Sequence, residues 1–195
     1  MPMPMECLEA FFVEEGLKYR LEEDGHLLTG FATRNYLSPE GVRGMAVVVR
    51  LSEGGEYLEF TAPNLYSTAD CQDRGPVCEV LLEIMLRTKM IRFEHDREDG
   101  EIRASIECPL EDGRLTRRQF RRMLEALPEL IDRWDPVIRQ TLRTGRIDLE
   151  AAAEAANCSA QSSELEPVAG SVNLAADPWS RCGLSATQSR HSGSA

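Results

Sequence analysis

Between Phe120 and Ile138 the large apolar residues Phe120, Leu124, Leu127, Ile131, Trp134 and Ile138 are spaced 4-3-4-3-4, which constrains the fold more than any other feature. That spacing follows the α-helical period, so the six side chains form one stripe that has to be buried against another layer. Thr116 and Gln119 stand just ahead of the stripe in the S/T-x-x-E/Q form of a capping box, where each satisfies a backbone donor at the helix start. The stripe keeps its phase through Pro128, and the pattern predicts one long helix kinked there, with Asp135-Pro136 as a second kink point and Thr144-Gly145 as the stop. Separate short helices are the alternative.

The rest of residues 1–149 supplies the layer for that stripe to cover. A first helix is expected from about Pro4 to Glu15, with Leu8, Phe11 and Phe12 on one face and Gly16 as its stop. Alternating or apolar runs then predict strands at 17–21, 26–33, 45–51 and 56–61, separated by turn residues, with Pro63-Asn64 ending the fourth. The unbroken apolar run Ala46 to Val49 predicts that the third strand is central and buried on both faces. A second helix is expected from about Pro76 to Met90, followed by a hairpin of 91–96 and 101–107 around Asp99-Gly100. The fold class is therefore α+β: helix, antiparallel meander, helix, hairpin, long C-terminal helix.

From about Glu150 the composition turns to Ser, Ala, Gly and Pro. Leu165, Val168, Val172, Leu174, Trp179 and Leu184 are spaced too irregularly there to build a core, so residues 150–195 are expected to form a disordered, low-complexity tail. Trp179, in Asp177-Pro178-Trp179, has the form of a short docking motif, although an isolated aromatic in a tail is more often without a role.

Several function classes are excluded by what the chain contains. Its apolar runs are far shorter than the roughly 20 residues that span a bilayer, and Met1 to Glu6 carries no export signal, so the cytoplasm is the expected location. In that setting Cys7, Cys71, Cys78, Cys108, Cys158 and Cys182 are expected as free thiols, and neither cysteines nor His26, His95 and His191 have zinc spacing. A net charge of −11 repels phosphate backbones. The basic cluster Arg117, Arg118, Arg121 and Arg122 therefore reads first as a solvated helix face and second as a nucleic-acid contact. No GxSxG, P-loop or GxGxxG is present, and no cofactor or metal is expected. An enzymatic alternative would have to assemble its site from distant residues such as His26, His95 and Asp96.

The second helix carries the functional signal. Val77, Val80, Leu81 and Ile84 form a compact stripe, and Cys78, Leu82, Met85 and Leu86 widen the apolar arc on one side to about 240°. Packing on one sheet needs less, and a covering first helix or loop is the plain explanation for any one of these residues. As a set, Cys78, Leu82, Met85 and Leu86 are the candidate contact surface for a peptide or a second copy.

The order of elements resembles the YbjN family, which shares the fold of type III secretion chaperones. The resemblance covers about residues 5–147. It rests on Leu8 to Tyr19 with its intervening glycine, on the hairpin Phe93 to Ile102, and on Leu110-Glu111-Asp112-Gly113-Arg114-Leu115-Thr116-Arg117-Arg118-Gln119-Phe120. It implies a peptide-binding, chaperone-like domain, often paired as dimers, in bacterial proteins that include sensory-transduction regulators. It transfers no catalytic motif. The expected partner is another polypeptide, with a homodimer as the further expectation and neither nucleic acid nor membrane.

Overall fold

The computed structural model describes residues 2–148 and 150. The chain forms α1 (Met5–Glu14), β1 (Arg20–Leu21), β2 (Leu27–Ala32), β3 (Gly44–Ser52), β4 (Tyr57–Ser67), α2 (Gly75–Arg87), β5 (Arg92–His95), β6 (Glu101–Pro109) and α3 (Arg117–Thr144). The expected low-complexity tail lies outside the described residues, apart from Glu150.

All six strands join one antiparallel sheet in the order β1-β2-β3-β4-β6-β5. The hairpin therefore extends the meander: β6 pairs with β4, and β5 is left on the outside. Residues directly opposite in an antiparallel pair share a face. Leu27, Val49, Phe60 and Ile106 make one such row across four strands, and all are buried. On the reverse face Arg50, Glu59 and Glu107 make the neighbouring row.

β3 is central, as its composition predicts, but it is not buried on both faces. Met45, Val47 and Val49 face the core while Ala46 and Val48, on the reverse face, are half-buried. An apolar run alone cannot distinguish a strand covered twice from one whose outer side chains merely shelter one another. Two strand boundaries also differ. The expected first strand at 17–21 is regular only over Arg20–Leu21. β4 does not stop at Pro63-Asn64: a bulge between Ala62 and Tyr66 absorbs both residues, and pairing resumes at Tyr66↔Ile102. Asn64 takes a left-handed φ of 51° inside the bulge, and its N–H donates to Glu101 Oε1 at 2.9 Å.

α3 closes the core. Phe120 meets Phe12, Phe11 and Phe60 at ring-centroid distances of 5.1, 5.3 and 5.9 Å. The rest of the stripe, Leu124, Leu127, Ile131, Trp134 and Ile138, is buried. The capping box forms, with Gln119 N–H donating to Thr116 Oγ1 at 3.2 Å and Thr116 N–H to Gln119 Oε1 at 2.9 Å. Gly145 ends the helix with a φ of 64° and bonds back to the Thr141 carbonyl.

The helix is one continuous element from 117 to 144, with Pro128 and Pro136 both inside it. A proline leaves the carbonyl four residues earlier without its donor. For Pro136 that carbonyl belongs to Asp132, and Asn35 Nδ2 occupies it at 3.0 Å. The Asp132 carboxylate meanwhile accepts from the backbone N–H groups of Arg34, Asn35 and Tyr36 at 2.9, 2.7 and 2.8 Å, fastening the β2–β3 connection to the helix where the proline interrupts its ladder.

Candidate functional site

α2 starts at Gly75 with Pro76 in its first turn, where a missing N–H costs nothing, and buries Val77, Val80, Leu81 and Ile84. This is the compact stripe read from the sequence. The flank beside it is not covered by α1 or by any described loop. Leu82 is 62% and Leu86 80% exposed, while Cys78 and Met85 are half-buried. The helix ends at Arg87, earlier than the expected Met90, because Thr88 turns to an extended backbone and its hydroxyl donates to the Ile84 carbonyl at 2.7 Å. Met90 then stands outside the helix, 46% exposed, close in sequence to Leu86.

α2 packs beside β5, the outer strand of the sheet. Arg92↔Ser105 and Glu94↔Arg103 are the pairs flanking Phe93, and Asp96 exchanges backbone bonds with the Glu101–Gly100 end of the hairpin. By the alternation of antiparallel ladders, the peptide groups of Phe93 and His95 turn outward, away from β6. The Phe93 N–H meets Met85 Sδ at 3.4 Å. Two exposed leucines, a thioether and an outward-facing strand edge thus adjoin one another. Met85 belongs to this group through its contact with the strand as well as through its position on the helix.

The edge strand is held from the reverse face of the sheet. Arg92 donates to Glu94 and Glu107, and Arg103 and Ser105 donate to Glu94 at 2.8 and 3.0 Å. Burial raises the Glu94 carboxyl, but the hydrogen bonds from Arg92, Arg103 and Ser105 outweigh it and hold the group below the usual carboxylate range. β5 is therefore pinned by charge on one face of the sheet, and along its outer edge the Phe93 N–H is covered by the Met85 sulfur.

The other residues singled out from the sequence do not converge. His26 precedes β2 and lies against Asp24, whereas His95 is on β5; four strand spacings, about 19 Å, separate those strands. His95 Nε2 is 2.7 Å from the hydroxyl of buried Thr68, and Asp96 Oδ1 accepts from Glu98 N–H within the hairpin turn. Both have local structural partners. The arginine cluster divides in two. Arg117 pairs with Glu15 and donates to the Glu14 carbonyl at 3.0 Å, tying α3 to the end of α1, and Arg121 pairs with Glu125 at 2.8 Å. Arg118 and Arg122 alone face solvent without an acidic partner among the described residues.

A buried polar cluster lies toward the C-terminal half of α3. Asp135 accepts from Tyr66 Oη at 3.0 Å and from Arg139 Nε at 2.9 Å, and the Arg139 guanidinium lies 5.6 Å from the centroids of both the Tyr36 and Tyr66 rings. Burial is the main cause that raises both the Tyr66 hydroxyl and the Asp135 carboxyl above their ordinary values. Every member is spent on joining α3 to β4 and the β2–β3 connection. Among the described residues no three His, Cys, Asp or Glu side chains stand together as a metal site, and no helix is long and apolar enough to cross a membrane. Cys7, Cys71, Cys78 and Cys108 are free thiols, and Cys158 and Cys182 lie outside the described residues.

No curated protein matches the chain. Among solved structures it is similar to the crystal structure of YbjN, "a putative transcription regulator from E. coli", at 12% identity and a TM-score of 0.51, over 75% of this chain and 96% of that one. A weaker likeness is to the HopA1-SchA chaperone-effector complex, at 13% identity and a TM-score of 0.40, over 73% of this chain and 96% of that one. Residues 4–140 match the family described as "YbjN: Putative bacterial sensory transduction regulator", and the chain belongs to the YbjN family.

Proposed function

We propose that residues 1–149 form a non-catalytic, chaperone-like or adaptor domain that binds an extended polypeptide segment in a regulatory setting, and that residues 150–195 are an appendage to it. The observation that carries this reading is the contact of Met85 with the outward Phe93 N–H, which sets the flank of α2 that also exposes Leu82 beside the edge of β5. An extended chain laid along β5 satisfies its own backbone on the outward peptide groups of Phe93 and His95. Alternate side chains of that segment then meet Leu82, Met85 and Leu86. Main-chain pairing supplies affinity with little sequence demand, and the leucines select for apolar residues at every second position.

The distribution of charge supports a polypeptide over a nucleic acid. The net charge is −11, and half of the basic cluster is committed to internal ion pairs. His26 stands four strand spacings from His95, and His95 and Asp96 each have a local partner, which supports the non-catalytic reading.

Selection of a displayed peptide library on the full-length protein tests the proposal, with Leu82→Glu/Leu86→Glu as the counter-selection. Recovered peptides with alternating apolar residues, bound by the parent and lost by the doubly substituted chain, are the expected result. Recovery of peptides that bind both chains equally would place recognition elsewhere.

A further inference from the structure

Resting on that reading of the α2–β5 face, we infer that Met85 is a modification site: peroxide converts its thioether to the sulfoxide, which closes the β5 edge to an incoming chain, and reduction reopens it. The sulfur stands 3.4 Å from the Phe93 nitrogen, on a peptide group that β5 turns away from β6. Met85 is half-buried on the flank of α2 that exposes Leu82, so a small oxidant reaches it from solvent. Met45 and Met123, at 2% and 6% exposure, are shielded by the core. Met90 is 46% exposed but lies beyond the helix, where its oxidation leaves the Phe93 N–H unaltered.

The chemistry turns on the quality of the acceptor. A thioether is a weak one, so a backbone carbonyl of an arriving segment displaces it from the Phe93 N–H with little loss. In the oxidation a sulfur lone pair attacks one peroxide oxygen, the O–O bond breaks, and the departing hydroxide leaves as water after a proton transfer. Sulfur gives up two electrons and peroxide gains them. The product is polar, and two thiols of a sulfoxide reductase reverse the step, releasing water and leaving a disulfide. With three rotatable bonds the side chain withdraws its sulfur and sets the new oxygen at the ordinary N–H···O distance of about 2.9 Å. That oxygen competes with an arriving carbonyl from within the same chain, free of the entropic cost of association. It also places a dipole beside Cys78 and Leu82, where an apolar side chain of the incoming segment would have to desolvate it.

Hydrogen peroxide on the full chain carrying Met90→Leu tests this. Met85 is then the one methionine between residues 81 and 95, and that fragment also carries the Phe93 amide. Oxidised and unoxidised molecules are therefore read side by side by mass in one amide-exchange experiment, with no peptide present. The expected result is exchange at Phe93 about fivefold slower in the oxidised fragment, which corresponds to about 1 kcal/mol, the size of one net hydrogen bond. Treatment with methionine sulfoxide reductase and dithiothreitol should restore the original rate. Peptides selected on the parent should bind the oxidised chain about tenfold more weakly, and Met85→Gln, whose amide oxygen stands in for the sulfoxide, should lose affinity without oxidant. Peroxide should alter neither quantity in Met85→Leu. Exchange at Phe93 that is unchanged or faster in the oxidised fragment overturns the inference. So does a Met85 left unoxidised when Met90 of the parent chain is fully converted, or peptide binding indifferent to the oxygen. The Phe93 rate is independent of any bound peptide, whereas selection on Leu82→Glu/Leu86→Glu reports on the surface reading alone, so the two failures are distinguishable.

Discussion

Met85 Sδ lies 3.4 Å from the backbone nitrogen of Phe93, so a side chain of α2 covers a peptide N–H that the edge of the sheet turns away from its neighbour. A thioether is a poor acceptor, which makes this cover easy to displace. The contact links the helix proposed as a contact surface to the outward edge of β5. It also separates Met85, half-buried, from Leu82 and Leu86, which are exposed.

Met85→Leu keeps the volume and removes the acceptor. Stability should change by less than about 1.5 kcal/mol, as volume-conserving apolar exchanges do. Amide exchange at Phe93 should accelerate while that of β4 and β6 stays unchanged. An unaltered rate at Phe93 would show that the sulfur gives the edge no protection.

Leu86→Glu and Ile84→Ala separate surface from core on the same helix. Leu86 is 80% exposed, so its replacement should move the unfolding free energy by no more than about 0.5 kcal/mol while abolishing peptide capture. Ile84 is fully buried, and its truncation should cost about 2–5 kcal/mol in urea unfolding.

Asp135 makes stability depend on pH in a direction opposite to that of most carboxylates. Burial raises its carboxyl in the folded state. The native protein therefore takes up this proton at a higher pH than the unfolded chain does. The contribution is fully present below the ordinary aspartate range and is lost as pH rises through the raised value. The difference in unfolding free energy between the parent and Asp135→Asn should thus shrink as pH rises above about 3.8, the ordinary aspartate value. A constant or widening difference would mean that Asp135 ionises without hindrance in the fold.

Gly100→Ala should disrupt the hairpin that carries β5. Gly100 has a φ of 81°, and an added Cβ would stand 2.7 Å from the Ala69 nitrogen and 3.0 Å from Thr68 Oγ1. A loss of about 1–3 kcal/mol is expected, with faster amide exchange in β5 before β2 and β3.

Much of this fold was legible because local signals agreed with tertiary ones. The stripe from Phe120 to Ile138, the capping box at Thr116 and Gln119, and the stop at Gly145 all point to one helix, which the structure shows unbroken. The alternative of separate short helices did not allow for how well a buried stripe holds a helix together. Nor could local reading know that Asn35, 97 residues away, would take the carbonyl that Pro136 leaves free. Strand order was similarly hidden. That β6 inserts beside β4 and leaves β5 outermost depends on pairing across α2, so the sequence marked the helical half of the site and missed the strand edge beside it. The clue available was the shortness of Arg92–His95 and its alternating charges, the habit of an edge strand.

The most direct test of polypeptide binding at this face is residue-resolved amide hydrogen exchange of the full-length protein with and without a peptide selected on it. The account predicts new protection at Phe93 and His95, accompanied by the stretch of α2 around Leu82 and Leu86. Protection confined to the opposite face of the sheet, around Arg50, Glu59 and Glu107, with β5 unchanged, would contradict it.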